Sequence, residues 1–420
     1  MNNNDEDMPG FIGSSHYHDD QLSQRRTSQN NIHADQASEL KATGAASLNG
    51  ALVLTPDAGT YTAGTVYTLV DAKGGVSGTF SSLSLGSYGS GIAPLLSYAP
   101  NDVYLTLADS HQLAGDIRPS LRAAAIEDSR AVRDTLLDHM DHVGHGISLW
   151  GMGLAGYGRL ASDGNAANLH HDSAGFLAGA DMPVLPAVTL GIDAGYTVNS
   201  ARTPASLSTA SGDSGHVGGY AVWSLDDIRL DIGGDYAFGH VTINRAVPSL
   251  SATTTSRQDQ ETGQVFADLG YRFSLERVQL EPHAQIAHIT ATGGAFAETG
   301  STVAALSGSE KSDSASYTLL GLRANTADLE VGDGMTLSPR LDLGWQHALA
   351  VLTPYQTVSI ANTGTSLLVL GTPLAANAAA LQAGFDVKVG RSLMLSVSYD
   401  GSFSSTVENH AFRGGLTWSF

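Results

Sequence analysis

The sequence predicts an all-β protein: an antiparallel transmembrane β-barrel of about twelve strands with an N-terminal pore helix, preceded by a short β-solenoid-like segment. Three observations predict this fold. From residue 146 to the C-terminus, apolar and polar residues alternate with the period of two that is typical of strands. The connections between these runs alternate between short and long. Residues 116–143 carry the one strong helical pattern.

The composition excludes several classes of function. The 420 residues include 21 Lys and Arg against 41 Asp and Glu, which gives a net charge of -20. Such a field repels the phosphates of nucleic acids, so we expect no nucleic-acid partner. The chain has 0 Cys, which excludes disulfides, thiolate metal sites and a cysteine nucleophile. No run approaches the ~18 apolar residues of a transmembrane helix.

The chain begins with two segments of different character. Residues 1–45 are polar and without a period, so we predict that they are disordered. Acidic residues stand where a signal peptide has its basic region, and no apolar run follows, so we expect no signal peptide here. Residues 46–110 contain short β-rich runs, such as 67–70 and 103–107, separated by Gly and Pro turns. Such short, weakly charged strands predict the stacked coils of a β-solenoid.

Residues 111–145 form the predicted linker helix. Pro119 lies in its first turn, where a missing N–H costs nothing, and Leu121, Val132 and Leu136 recur at helical spacing. At 1.5 Å per residue, about 24 residues span roughly 36 Å, which is enough to cross a bilayer-thick object. Because charges of both signs cover the other faces, the helix suits a polar pore better than contact with lipid.

Residues 146–420 form the predicted barrel. At its C-terminus, apolar residues and Gly occupy the even positions from 412 to 420, while Arg413, Thr417 and Ser419 occupy odd positions. Many strands have about ten residues or more, as tilted membrane strands require. Their polar face carries charges of both signs and Gly, which favours a wet lumen. The strands at 148–160 and near 315–325 alternate weakly, so their faces stay unassigned.

The connections predict two different barrel ends. Short connections are expected near 183–186, 226–227, 275–276, 328–333 and 390, and longer ones at 161–172, 200–214, 243–260, 291–314 and 348–378. Outer-membrane barrels have this asymmetry between tight turns and long loops.

The charged residues of the polar faces are expected to form ion pairs with the pore helix, because a filled lumen must satisfy its polar groups. The alternative is that they hydrate an open pore. The helix and wall residues for which we predict pairing are Arg118, Arg122, Arg130, Arg133, Asp134, Arg229, Asp231, Asp268, Arg340 and Asp386.

This order of parts resembles the monomeric autotransporters of Gram-negative bacteria, a type V secretion family. The stretches "YTLVDAKGGVSGTF" (67–80) and "LLSYAPNDVYLTL" (95–107) resemble the last coil of their secreted β-helical passenger. The helix at 116–143 resembles the linker that occupies their barrel. The terminal "GGLTWSF" (414–420) resembles the signal read by the outer-membrane assembly machinery. The resemblance covers about residues 46–420.

The resemblance implies an outer-membrane translocator that exports and anchors a β-helical passenger without catalysis. Its implied partners are outer-membrane lipid, the barrel-assembly machinery and its own passenger, and it is implied to be monomeric, with no cofactor. The implied location is the cell outer membrane, with the N-terminal segment at the cell surface. Relatives that cleave their own linker use an Asn-Asn pair, and residues 110–145 contain no Asn. The residues of the implied assembly signal are Phe412, Leu416, Trp418 and Phe420.

Two other functions stay open. The barrel could be a pore for small solutes, which requires an open lumen. It could also be the membrane anchor of a surface adhesin or enzyme whose active passenger is missing from this chain.

Three motifs invite a chemical interpretation. Gly-Asp-Ser-Gly at 212–215 surrounds the nucleophile of trypsin-like proteases, but no base is held beside Ser214, so we interpret it as a turn-forming loop. "GMGLAG" at 151–156 matches a dinucleotide motif, but a helix precedes it and a strand follows, so we place its glycines in the first barrel strand, making room for the helix. His139, His142 and His145 have metal-like spacing, but histidines are also favoured at helix C-termini by the dipole. We therefore predict no catalytic, cofactor or metal residues.

Overall fold

The computed structural model describes residues 15–17, 21–24, 28–89, 91–143, 146–332, 334–350, 352–361 and 366–420. The disorder predicted for 1–45 concerns in part residues outside this description, namely 1–14, 18–20 and 25–27. From residue 28 onward that prediction is wrong, because Ser28–Ile32 and Leu40–Ala42 are strands. These strands are too short for their alternation to stand out, yet Ile32 is fully buried.

A three-sided β-solenoid precedes the barrel. Its strands are β1 (Ser15–Tyr17), β2 (Gln21–Gln24), β3 (Ser28–Ile32), β4 (Leu40–Ala42), β5 (Ala45–Leu48), β6 (Ala51–Pro56), β7 (Val66–Ala72), β8 (Val76–Gly78), β9 (Ser82–Ser84), β10 (Ile92–Tyr98) and β11 (Asp102–Asp109). Parallel pairing gives the three sheets β1–β4–β7, β2–β5–β8 and β3–β6–β9. The antiparallel hairpin β10–β11 joins the last coil at β7. Aliphatic side chains such as Leu54, Leu69 and Leu105 fill the interior.

Two helices connect the solenoid to the barrel. Helix α1 (Ser110–Ala114) is capped by the Asp109 side chain, which accepts hydrogen bonds from the backbone of the first turn. Gly115 ends it with a φ of 68°, a left-handed conformation that favours glycine. Helix α2 (Ile117–Met140) follows at once and runs for 24 residues. No helix among the described residues is both long enough and apolar enough to span a membrane.

The rest of the chain forms the barrel and its connections. The strands are β12 (Ser148–Leu160), β13 (Leu169–Leu185), β14 (Val188–Thr203), β15 (Ser208–Leu225), β16 (Ile228–Val247), β17 (Ala252–Tyr271), β18 (Phe273–Leu275), β19 (Val278–Gly293), β20 (Phe296–Ala297), β21 (Leu306–Gly308), β22 (Lys311–Thr326), β23 (Leu329–Gly332), β24 (Met335–Ala348), β25 (Tyr355–Ile360), β26 (Ser366–Leu370), β27 (Asn377–Val389), β28 (Leu393–Phe403) and β29 (Val407–Ser419). A 3-10 turn lies at Pro248–Leu250.

Within the described residues, twelve strands close into one antiparallel barrel, which confirms the predicted fold class. Strand β29 pairs with β12, and β17 pairs with β19, so the circle has no free edge. The short strands β18 and β23 only extend the turns beside β19 and β24.

The alternating apolar residues of the strands face outward, as a membrane barrel requires. Large apolar side chains such as Ile192, Phe238 and Leu343 are exposed on the outer face, where lipid covers them. Strands β12 and β22 alternate weakly because apolar residues also point inward: Trp150, Met152 and Tyr317 pack in one cluster with helix α2.

The two ends of the barrel differ, as expected. We call the end with the short connections, such as 186–187 and 226–227, the turn end, and the opposite end the loop end. The long connections predicted at 200–214 and 243–260 are wrong, because β14 to β17 continue through them and leave only 204–207 and 248–251. Most residues on both faces are polar or small there, so the sequence resembles that of a loop. Between the barrel strands at the loop end, β20, β21, β25 and β26 form a separate outer sheet.

Candidate functional site

The candidate site is the barrel lumen, which helix α2 occupies. The helix begins at the loop end and ends near the turn end, and most of its side chains are buried. Its apolar stripe, including Leu121, Val132 and Met140, shares a cluster with the inward residues Trp150 and Leu154 of β12. The other faces of the helix meet the polar wall. The charged residues of the helix therefore determine its contacts with the wall.

At the loop end, Arg118 is bound by a buried carboxylate. Its Nη2 donates to Glu298 Oε1 at 2.5 Å, and both side chains are 1% exposed. Glu298 also accepts from Nη2 of the wall residue Arg245 at 2.5 Å. Burial raises the pKa of the Glu298 carboxyl, but the hydrogen bonds and charges of Arg245 and Arg118 outweigh that effect and hold the pKa below its ordinary value. Glu298 is therefore a carboxylate at neutral pH.

One turn further, Arg122 is fixed to the wall and to the outer sheet. Its Nε donates to Asp313 Oδ2 at 2.6 Å. Its Nη2 donates to the backbone oxygen of Tyr355 at 2.6 Å, and Nη1 donates to Gln356 Oε1 at 3.1 Å. The two arginines thus join the start of α2 to the connection that holds Glu298, to β22 and to β25 of the outer sheet.

In the middle of the lumen, Arg130 and Arg133 have partners other than wall carboxylates. Arg130 Nε donates to Asp134 Oδ2 at 3.2 Å within the helix. Arg133 donates to the amide oxygens of Gln285 at 3.1 Å and Gln264 at 3.5 Å.

Near the turn end, two aspartates at the end of the helix meet arginines of the wall. Arg340 pairs with Asp138 of the helix. Arg229 lies 3.0 Å from Asp141 and 2.8 Å from Asp231. Arg118 and Arg122 thus lie toward the loop end, and Asp138 and Asp141 lie toward the turn end. Each of the four has a partner of opposite charge outside the helix.

His139 of the helix and His142, just after its end, also meet wall carboxylates near the turn end. His139 Nε2 is 2.7 Å from Asp181 Oδ2, and its ring stacks on Trp150. His142 Nε2 is 2.9 Å from Asp386 Oδ2, and Asp386 is also 3.3 Å from Arg340. His145 lies outside the described residues. No group of three or more potential ligands for a metal ion occurs in the described part of the chain.

Asp268 does not meet the helix, although the sequence predicted such a pair. It accepts from Arg323 at 3.0 Å and lies 2.9 Å from His283, and both partners belong to the wall. The wall therefore neutralises part of its own charge.

The structure adds Glu298, Asp313 and Asp141 to the predicted set. The first two lie in a stretch predicted as a long connection, at 291–314, so their place beside the helix had no periodic signal. Asp141 follows the last helical residue. Its position one turn after Asp138, and two turns after Asp134, is the signal that could have identified it.

The four aromatic and aliphatic residues near the C-terminus lie on the lipid-facing side of β29, about half exposed or more. They are Phe412, Leu416, Trp418 and Phe420. The rings of Trp418 and Phe420 stack at 5.0 Å, and the Phe420 N–H donates to the Ile147 oxygen at 2.9 Å. Strand β29 closes the barrel, so these side chains lie beside the seam between the last and first strands.

Ser214 lies inside strand β15, and the prediction of a loop there is wrong. His216, two residues along, has both ring nitrogens engaged, by Thr197 Oγ1 at 3.0 Å and by Asp235 Oδ1 at 3.1 Å. Ser214 therefore has no free base at this histidine. Gly151 and Gly153 lie in β12, as predicted, but on its outer face, so they do not make room for the helix.

Comparison with known proteins accounts for this arrangement. The sequence model of the autotransporter beta-domain matches residues 149–400. The chain belongs to the autotransporter beta-domain family. An "Extracellular serine protease" of Serratia marcescens is 29% identical over 323 residues, which are 74% of this chain and 30% of that protein. This autotransporter chain therefore spans about 30% of the length of the curated relative it matches.

Solved autotransporter domains have the same fold. The translocator domain of NalP from Neisseria meningitidis superposes with a TM-score of 0.57 at 18% identity, covering 71% of this chain and 97% of that chain. The beta domain of the Bordetella autotransporter BrkA gives 0.50 at 20% identity, covering 66% and 100%. The chain is thus an outer-membrane translocator barrel with a helix in its lumen.

Proposed function

We propose that this autotransporter barrel exports the chain N-terminal to it, displays the β-solenoid at the cell surface and keeps it anchored there without catalysis. The observation that carries this proposal is the path of the chain. Solenoid, α1, α2 and β12 follow one another, and α2 lies inside the barrel between the solenoid at the loop end and the start of β12 at the turn end. A chain on this path has its solenoid on one side of the membrane and the start of its barrel on the other.

The direction follows from the family asymmetry. Long loops of outer-membrane barrels lie outside the cell and short turns lie in the periplasm. In this assignment, residues 46–110 are the end of the passenger, 111–145 the linker and 146–420 the anchor. The relative is named as a serine protease, but this chain spans only 30% of that protein's length. We therefore propose no protease activity here.

We further propose that the barrel works as a monomer, contacts outer-membrane lipid through its apolar band, and is inserted by the barrel-assembly machinery through Phe412, Leu416, Trp418 and Phe420. The polar pairs of the lumen hold α2 in place after export. The closed ring of strands supports a monomer, because it leaves no edge for a second copy.

A solute pore is the weaker candidate. Helix α2 fills the lumen, and beside it, next to Ser129 and His216, the wall leaves a cavity of about 80 Å³. That volume holds a few waters. It is too small to be a path for metabolites.

The absence of cysteine gives a direct test of orientation. Thr60, exposed on the solenoid, and Glu276, exposed in a short turn, are each replaced by Cys. Intact cells are then treated with a membrane-impermeant maleimide. We expect Thr60→Cys to be labelled and Glu276→Cys to be labelled only after the outer membrane is permeabilised. The reverse pattern, or no labelling of Thr60→Cys on intact cells, contradicts the proposed display.

A further inference from the structure

We call the junction of α1 and α2, residues 110–120, the elbow. One buried arginine of the barrel wall binds it. Arg245 Nη1, at the loop end of β16, donates to the backbone oxygens of Gln112 at 2.8 Å and Leu113 at 3.1 Å. These carbonyls belong to the short helix α1, whose last turn leaves its oxygens without helical partners. Arg245 thus recognises the end of a helix, a feature that an extended chain does not offer.

The remaining donors of Arg245 hold Glu298 in place. Nε donates to Oε1 at 3.2 Å and Nη2 to Oε2 at 2.5 Å, and Nη2 also donates to the Ala304 oxygen at 2.6 Å. A guanidinium has five N–H donors in a fixed fork, and these contacts, with the two carbonyls of α1, engage all of its nitrogens. Both Arg245 and Glu298 are 1% exposed.

Glu298 also contacts the elbow directly, because it binds Arg118. Without the elbow, Arg245 loses two acceptors and Glu298 loses one of its two counter-charges. An incompletely paired buried charge is costly, so the pair is complete only when a helix end and an arginine arrive together.

The sequence shows which segment meets this requirement. Residues 27–117 contain no Arg, so the solenoid from residue 27 onward offers no guanidinium to Glu298. Arg118 is the first arginine after Arg26, and it lies five positions after Leu113, the residue whose carbonyl Arg245 binds.

Two hydrogen bonds to backbone N–H groups also hold this segment in place. Asp116 Oδ2 accepts from the Ala167 N–H at 2.6 Å, and Ser120 Oγ accepts from the Thr372 N–H at 3.0 Å. Leu113 is fully buried in a cluster with Leu306 and residues of the outer sheet. These contacts add burial, whereas the Arg245–Glu298 pair adds selectivity.

We propose that the Arg245–Glu298 pair is the site that selects the α1–α2 elbow and so determines which segment of the exported chain comes to rest in the barrel. Passing segments bind it poorly, because they lack a helix end followed by an arginine. The elbow completes the pair and stops the chain in one register. This proposal rests on the proposed export function and adds the residues that set its end point.

The test uses a buried reporter for the seated elbow. Ala123, in the second turn of α2, is fully buried, and Ala123→Cys changes its volume little. On intact cells the reporter is treated with a membrane-impermeant maleimide in three backgrounds: Arg245→Met, Glu298→Gln, and the control Arg202→Met. Arg202 lies near the loop end of β14, is 60% exposed, and has Asp172 of the neighbouring strand as its ion-pair partner.

We expect labelling of Ala123→Cys to rise roughly tenfold in the Arg245→Met and Glu298→Gln backgrounds, as loss of a charge-assisted contact implies. The control should match the wild-type background. Heat-modifiable mobility in gels establishes that each barrel is folded. If Arg245→Met does not assemble, the test rests on Glu298→Gln, because this substitution is nearly isosteric. Protection of the reporter in folded Glu298→Gln overturns the proposal.

An insertion tests whether the elbow or the other end of the helix sets the register. Four alanines are placed between Ala125 and Ile126, which moves the two halves of α2 apart by about one turn. If the elbow site sets the register, Ala123→Cys stays protected, and if the turn-end pairs set it, the reporter becomes labelled and the proposal is wrong. Labelling of Thr60→Cys in the same cells separates this failure from a failure of the export function, because display persists when only the elbow site is wrong.

Discussion

Buried arginines are the residues that fix the helix to the barrel wall. Arg118 and Arg122 bind Glu298 and Asp313 near the loop end, and Arg229 and Arg340 of the wall bind Asp141 and Asp138 near the turn end. Removing one partner of such a pair leaves a buried charge without compensation, which costs more than the pair itself contributes. These residues therefore specify orientation more than they add stability.

The ionisation of Glu298 makes the binding of the elbow in the barrel mouth depend on pH. Its folded-state pKa lies below the ordinary value, so its contribution is present above the ordinary pKa, about 4.3, and is lost as pH falls through the lowered value. We expect single-channel recordings of the wild type to be quiet at pH 7 and to show openings once the pH falls below the lowered pKa of this carboxyl.

The matched variant for this measurement is Glu298→Gln, which cannot ionise. It should show openings at pH 7 already, with a smaller change on acidification, because other lumen carboxylates still titrate. Identical pH profiles for the two proteins would falsify the role assigned to this carboxylate.

Among the helices and strands, the sequence predicted those features that produce a periodic pattern within one segment. Strand β29 and its lipid-facing residues, and the extent of α2, follow from patterns within single segments. The faces of β12 and β22 could not be predicted, because both of their faces are apolar where the wall meets the helix. Glu298 was missed for another reason: it meets Arg118 over a separation of 180 residues, and no local pattern encodes that distance.

The seam strand gives a prediction about assembly. Phe420 is 67% exposed on the lipid side, and its backbone N–H pairs with Ile147 beside the first strand. Deleting Phe420 should lower the yield of folded barrel several-fold in outer-membrane fractions, since the terminal aromatic and its stack on Trp418 are lost. Ser419→Ala, which keeps the aromatic residues, should assemble normally, and an undiminished yield without Phe420 would count against the assembly signal.

The apolar band gives a prediction about stability. Ile192, on the outer face of β14, is 71% exposed to the surroundings of the barrel. An arginine on the lipid-facing side of a barrel costs about 2–4 kcal/mol near the bilayer midplane. Ile192→Arg should therefore lower the free energy of unfolding by about that amount in urea titrations of the reconstituted barrel. Ile192→Leu is the control, and equal stability of both variants would mean that this face does not meet lipid.

The whole molecule is a chain that passes through its own barrel. The solenoid lies at the loop end, the elbow lies in the barrel mouth, and α2 fills the lumen. Its barrel belongs to the autotransporter beta-domain family. If the barrel exports its own N-terminal segment, the helix is the last segment to enter the lumen, and it seals the barrel behind the solenoid.

The most direct test of this seal is the ion conductance of the barrel in planar bilayers. The complete chain is compared with a variant that lacks Ile117–Met140, after gel mobility has established that both are folded. We predict that the complete chain stays closed at neutral pH, because the helix and its ion pairs fill the lumen, and that the variant carries a steady current. Equal conductance of the two proteins would contradict the proposed role of α2, because the helix would then not be what seals the barrel.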